Sequence, residues 1–206
     1  MEGQTKMKPI PIVMVIANKR PALENQAVET LHMNTEYPYE LHCWLSLEPY
    51  PADVKVRNAG IASIKEDWDY MVYTDDDQFF SKGWLTEMVK AKEQNPDVWV
   101  IYTSKWPSYK KLEKRPRITI TDRMTGSCLL ISKYVWEKCG PFPENENKTN
   151  EFRERVQSLG GKVAVMNDSE LVVHCGIKSI INKKGRSKQT EDMMRKLADK
   201  VGAICE

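Results

Sequence analysis

Short apolar, β-branched runs alternate with amphipathic segments along the first half of this chain, and that alternation restricts the fold more than any other feature. Ile10 to Ala17 (IPIVMVIA) reads as a strand, closed by Asn18-Lys19-Arg20-Pro21. The next segment, Ala22 to Met33, places Leu23, Ala27, Thr30 and Leu31 at helical spacing. Glu40 to Leu47 (ELHCWLSL) is a second strand ended by the Pro49-Tyr50-Pro51 turn, Ala59 to Glu66 a helix, and Tyr70 to Thr74 (YMVYT) a buried strand. Gly83 to Glu93 carries Trp84, Leu85, Met88 and Val89 on one side and leads into the strand Val98 to Thr103. Such alternation implies a mostly parallel sheet flanked by helices, with ligands outside the carboxyl ends of the strands.

The second half is less regular. Arg117 to Thr121, Cys128 to Ile131, Val163 to Met166 and Leu171 to His174 read as strands, Lys133 to Lys138 and Phe152 to Leu159 as helices, the latter stopped by Gly160-Gly161. Beyond them come a basic loop with Lys178, Lys183, Lys184, Arg186 and Lys188, and an amphipathic helix from Thr190 to Val201. The expected organisation is one domain over residues 1–176 and a basic C-terminal appendage over 177–206. A chain of 206 residues is long enough to bury a real core, and 31 Lys+Arg against 29 Asp+Glu exclude a strongly polyelectrolyte partner for the chain as a whole. No run approaches the roughly 20 apolar residues a membrane span needs. The five cysteines (Cys43, Cys128, Cys139, Cys175, Cys205) are widely spaced without a CxxC pair, so reduced thiols and a cytoplasmic location are expected.

Asp75, Asp76 and Asp77 follow the apolar strand directly, at the expected ligand edge of the sheet. Like charges in one place repel and raise each other's pKa, so they call for a counter-charge. A hard cation such as Mg²⁺ or Mn²⁺ suits carboxylate oxygens, and the alternate residues Asp75 and Asp77 can present oxygens to one such ion that also grips a diphosphate.

Around this cluster the sequence resembles a known family. Val56-Arg57-Asn58-Ala59-Gly60-Ile61-Ala62 followed by Asp69-Tyr70-Met71-Val72-Tyr73-Thr74-Asp75-Asp76-Asp77 is similar to the ARNxGIA segment and DxD motif of family 2-like, GT-A fold glycosyltransferases. The Asn18-Lys19-Arg20-Pro21 turn, the block from Gly126-Ser127 through Val135-Trp136 and Gly140 to Phe142 and Glu144, and Glu151-Phe152-Arg153 on to His174 fit the same pattern, so the likeness spans about residues 9–176. The resemblance implies a GT-A-like three-layer α/β/α sandwich with a mostly parallel central sheet and a C-terminal helical tail. It also implies a metal-dependent hexosyltransferase that moves a sugar from a nucleoside-diphosphate sugar, UDP-linked in preference to GDP-linked, to a hydroxyl acceptor; the basic C-terminal segment would suit a glycan or a nucleic acid as that acceptor.

Carried over residue by residue, Asp77 becomes the direct metal ligand, Asp75 a second ligand nearer the donor ribose or sugar, and His174 the ligand that completes a Mn²⁺ or Mg²⁺ site. Ala17, Asn18, Arg57 and Asp76 would line the donor nucleotide. Two departures stand out. Trp44-Leu45-Ser46-Leu47-Glu48 lacks the acid usual after the second strand, and Lys148-Thr149-Asn150-Glu151 replaces the Glu-Asp pair that supplies the base of inverting members, leaving Glu151 as the nearest acid for that role, with Glu144 and Glu146 behind it. Inverting and retaining outcomes both stay open. Of the aromatics, Trp106 and Tyr109, in a Pro- and Lys-rich connection, are the candidates for acceptor contact. Two other classes fit part of the pattern: a nucleotidyltransferase, against which the lack of a Gly-rich, Lys-containing phosphate loop argues, and a non-catalytic nucleic-acid-binding protein using residues 178–200.

Overall fold

A computed structural model describes residues 8–17, 21–47, 53–103, 109–145 and 148–174. The N-terminal half winds as expected: strand β1 (Ile10–Ile16), helix α1 (Pro21–Asn34), β2 (Tyr39–Leu45), α2 (Asp53–Ala62) and β3 (Tyr70–Asp75). A three-residue strand β4 (Gln78–Phe80) follows, then α3 (Trp84–Glu93) and β5 (Val98–Tyr102). The remainder comprises β6 (Lys111–Lys114), β7 (Ile118–Thr121), β8 (Cys128–Ser132), α4 (Lys133–Cys139), α5 (Lys148–Ser158), β9 (Lys162–Met166) and β10 (Val172–His174).

Eight strands form one sheet in the order β2-β1-β3-β8-β5-β9-β7-β6. Strands β2, β1, β3, β5, β9 and β6 run one way, and β8 and β7 are inserted antiparallel. The sheet is therefore mostly parallel in direction, with reversed strands at two points. Side chains alternate faces along each strand, and the core divides accordingly. Ile12, Met14 and Val72 pack with Ala27 and Leu31 of α1 and with Trp84, Leu85 and Met88 of α3. Val13, Val15, Met71 and Tyr73 pack with Val54 and Ile61 of α2, Val135 of α4, and Phe152 and Val156 of α5. These are the three layers.

Three local readings need correction. Helix α5 begins at Lys148, not at Phe152, so Glu151 lies in its first turn. Helix α2 begins at Asp53 and ends at Ala62, not over Ala59–Glu66. Gly60 sits inside it because the helix lies close on the sheet: a Cβ there would come within 2.9 Å of Val13 Cγ1 and 3.0 Å of Trp44 Cδ1. Arg57 therefore belongs to the middle of this helix, on its buried face. Strand β7 starts at Ile118, since Arg117 takes a positive φ of 68° in the turn from β6. The Gly160-Gly161 stop is as expected: Gly160 adopts φ 87°, and the amides of Gly160 and Gly161 return to the carbonyls of Gln157 and Val156 at 3.0 and 2.9 Å. Cys43, Cys128 and Cys139 are free thiols. Among the described residues no helix is long and apolar enough to cross a membrane. Residues 177–206, with the basic loop and the helix expected over 190–201, lie outside the described residues.

A second, two-stranded sheet pairs β4 with β10 antiparallel, in register Val172↔Phe80, Val173↔Phe79 and His174↔Gln78. Helix α1 and Trp84 fasten it. Asn34 Nδ2 donates to the Phe80 carbonyl at 2.8 Å, Trp84 Nε1 donates to Thr35 Oγ1 at 2.9 Å, and the Phe80 and Trp84 rings lie 4.6 Å apart. Trp84→Ala should therefore cost about 3–5 kcal/mol of stability, read as a lowered urea midpoint.

On the far side of the molecule, Arg115 donates to both carboxylate oxygens of Asp97 at 2.7 and 2.9 Å, with Lys162 Nζ at 2.9 Å. These bonds hold the Asp97 carboxyl well below its ordinary 3.8. Its contribution to stability is thus present above that value and is lost as the pH falls toward the lowered folded value. Asp97→Asn should be less stable at pH 7 and lose stability less steeply below pH 4, as followed by denaturation at stepped pH.

Candidate active site

The carboxyl ends of β1 and β3 and the start of the reversed strand β8 meet at one edge of the large sheet. Strand β3 delivers Asp75 there, and Asp76 and Asp77 form the turn that carries the chain across to β4. The three acids part company at once. Asp76 accepts the Ala17 amide at 2.8 Å and is buried, which ties the turn to the end of β1. Asp77 accepts from Gln78 Nε2 at 3.3 Å and faces His174 Nε2 at 3.2 Å. Asp75 is held by its amide, which donates to the Ser127 carbonyl at 3.0 Å, and by the Tyr73 hydroxyl, which donates to its Oδ1.

The β4–β10 pairing brings His174 to this place, since its register sets His174 opposite Gln78, the residue after Asp77. One ligand atom each from Asp75, Asp77 and His174 lies within 4.8 Å of the others. Two carboxylates and an imidazole at that spacing suit a divalent cation with oxygen and nitrogen ligands. Burial pushes Asp75 up to about 6; the Arg57 charge pulls it back, Asp77 adds to the rise, and the Tyr73 hydrogen bond and His174 draw it down. The side chain is 31 % exposed, so water at the rim tempers the effect and the direction is upward.

Glu40, His42 and Glu66 also converge. Glu40 stands opposite Pro11 at the start of β1, away from the acid turn, and His42 opposite Val13 at its middle.

Arg57, expected beside the nucleotide, is 2 % exposed. Its guanidinium lies 3.6 Å from the Tyr73 ring centroid and 5.1 Å from that of Phe142, and Nη2 donates to the Tyr73 hydroxyl at 2.6 Å. A Cβ on Gly126 would lie 3.1 Å from Thr149 Oγ1 and 3.5 Å from Arg57 Nη1, so the first turn of α5 and the loop before β8 close over the guanidinium. Glu151, in that first turn, accepts from Asn145 Nδ2 at 3.0 Å. Asn18, Glu146 and Trp106 lie outside the described residues. Tyr109 is half-buried, packed against the core cluster and edge-on to Tyr102 with centroids 5.8 Å apart.

The sequence reading missed Tyr73 and β4. Tyr73 had a signal: in a strand, residues two apart share a face, so Tyr73 and Asp75 point the same way.

Comparison with known proteins agrees with this fold. No curated protein sequence matches the chain significantly. Among solved structures, a variant of Drosophila β1,4-galactosyltransferase 7, in complex with manganese, UDP-Gal and xylobiose, superposes with a TM-score of 0.56 at 12% identity, covering 90% of this chain and 79% of that one. GalNAc-T7 with UDP, GalNAc and Mn²⁺ gives 0.59 at 9% identity, covering 79% and 43%. The mannosyltransferase PcManGT from Pyrobaculum calidifontis, with GDP-Man and Mn²⁺, gives 0.50 at 13% identity, covering 95% and 70%. At such identities the likeness is one of fold, and the fold is the GT-A sandwich of these transferases. The model of glycosyl transferase family 2 matches residues 54–167, from the helix that carries Arg57 to the end of β9. With more than half of its 206 residues in that pattern, the chain belongs to glycosyl transferase family 2.

Proposed function

We propose that this protein is a divalent-metal-dependent glycosyltransferase that uses a nucleoside-diphosphate hexose, UDP-linked in preference to GDP-linked, and a hydroxyl acceptor. The convergence of Asp75, Asp77 and His174 on one point at the ligand edge of the sheet carries this reading. The donor set fits Mn²⁺ or Mg²⁺: two carboxylates supply hard oxygens, and an imidazole is better suited to Mn²⁺ than to Mg²⁺. When bound there, such an ion would supply positive charge to the diphosphate that leaves with the nucleotide. The likeness to transferases solved with UDP-Gal or GDP-Man and manganese supports the donor class.

The residues of this chain have distinct tasks under the proposal. Asp77 and Asp75 bind the cation, and His174 closes the site from the second sheet. Asp76 fixes the turn against Ala17, whose backbone at the end of β1, with Asn18 after it, borders the nucleotide. Glu151, in the first turn of α5, is the carboxylate assigned to take the acceptor proton, and it does so by exchanging its bond to Asn145 for one to the acceptor hydroxyl.

Calorimetric titration with UDP and GDP, with and without Mn²⁺, tests the donor site. One nucleotide should bind only in the presence of metal. Asp77→Ala should abolish that binding, and His174→Ala should weaken it by more than the roughly 10–100-fold that loss of an outer partner costs a metal site. Metal-independent binding, or none by the folded protein, would overturn the proposal. Once a donor is found, Glu151→Gln should lower kcat by roughly 10²–10⁴-fold with donor affinity unchanged. A rate near that of the wild type would assign the proton to another acceptor, such as the donor's own phosphate.

A further inference from the structure

Tyr73 occupies a buried position on β3 where a phenylalanine would fill the same volume, yet it brings a hydroxyl into the interior. A buried hydroxyl is costly unless its hydrogen bonds are made, and this one makes two in a fixed order. Its oxygen accepts from Arg57 Nη2 at 2.6 Å, so its single proton is directed to Asp75 Oδ1. Arg57 itself stands farther off, with Nη2 3.9 Å from the same carboxylate oxygen.

That arrangement differs in kind from a direct ion pair. An arginine facing a carboxylate commonly engages both oxygens through its fork, which would leave Asp75 one lone pair on each oxygen, both facing a competing positive charge, to offer a cation. Here the hydrogen bond comes from a neutral group that ties down one oxygen and leaves the other for a ligand, with the arginine charge behind it. Stacking on the Tyr73 ring, with Phe142 beyond, keeps the guanidinium in place, and bonds made in series polarise one another. Tyr73 and Asp75 also share a strand face at the rim, so no loop movement is needed to hold the pair in register.

We infer that Tyr73, backed by Arg57, is a positioning residue that fixes one oxygen of Asp75 and presents the other to the divalent cation. This rests on the reading of Asp75, Asp77 and His174 as the cation site, and assigns Arg57 to the carboxylate in place of the nucleotide. Outer partners of metal-binding carboxylates orient the ligand, and their loss typically costs 10–100-fold in affinity.

The test is titration of the full-length protein with Mn²⁺ alone, below the melting temperature of every variant. Tyr73→Phe should weaken Mn²⁺ binding about 10-fold or more, while Val135→Ala, which loosens the same apolar cluster without touching these hydrogen bonds, should lower the melting temperature and leave Mn²⁺ affinity within about twofold of the wild type. Arg57→Lys should weaken binding in the wild-type background and add little to Tyr73→Phe, because the arginine acts through the hydroxyl. Mn²⁺ binding by the wild type with Tyr73→Phe unchanged would overturn the inference alone and make Tyr73 a core residue only. Failure of the folded wild type to bind Mn²⁺ would overturn the cation-site reading, and the inference with it.

Discussion

Mutual repulsion among three consecutive carboxylates is the constraint around which this end of the molecule is arranged. A chain that places Asp75, Asp76 and Asp77 at the rim of an apolar sheet must separate them or neutralise them, and here it does some of each. The turn sends Asp76 inward to the Ala17 amide and leaves Asp75 and Asp77 on either side of it. The first stays with the large sheet and its buried arginine, and the second crosses to the small sheet and its histidine. The geometry on which the proposed cation site depends thus follows from how the backbone disposes of like charges.

The small sheet gives that turn its meaning. Without β4 the residues after Asp77 would be a loop, and the register that sets His174 opposite Gln78 would be lost. The pairing is in turn held by contacts from α1 and from Trp84. Residues remote from the acids therefore share in building the site, through packing and not through chemistry.

Much of this was readable from the residues. The apolar strand running into Asp75-Asp76-Asp77 and the Gly160-Gly161 helix stop declare themselves locally, because period and composition report burial and backbone conformation directly. What stayed hidden has a common physical origin. Strand β4 is three residues long, too short for a period, and exists because β10 pairs with it. All four residues of β6 are exposed, so no apolar alternation marks it. The start of α2 is obscured in the sequence by the prolines at 49 and 51 and by Gly60, whose place in the helix is set by the closeness of Val13 and Trp44. The direction of Arg57 is decided by Tyr73 and Phe142, which the sequence leaves far apart.

The joining of β4 to β10 also bears on how the protein is made. Asp75 and Asp77 leave the ribosome long before His174, and every strand of the large sheet precedes that histidine in the chain. Pairings between distant segments carry a loop-closure cost that local structure does not, and they are slow to form. The imidazole is thus the last of the three groups to be synthesised, so a nascent chain can build nearly the whole sandwich before its acid pair receives its third partner. Emergence of His174, and not the appearance of the acids, marks the moment at which this edge of the sheet acquires its third donor group.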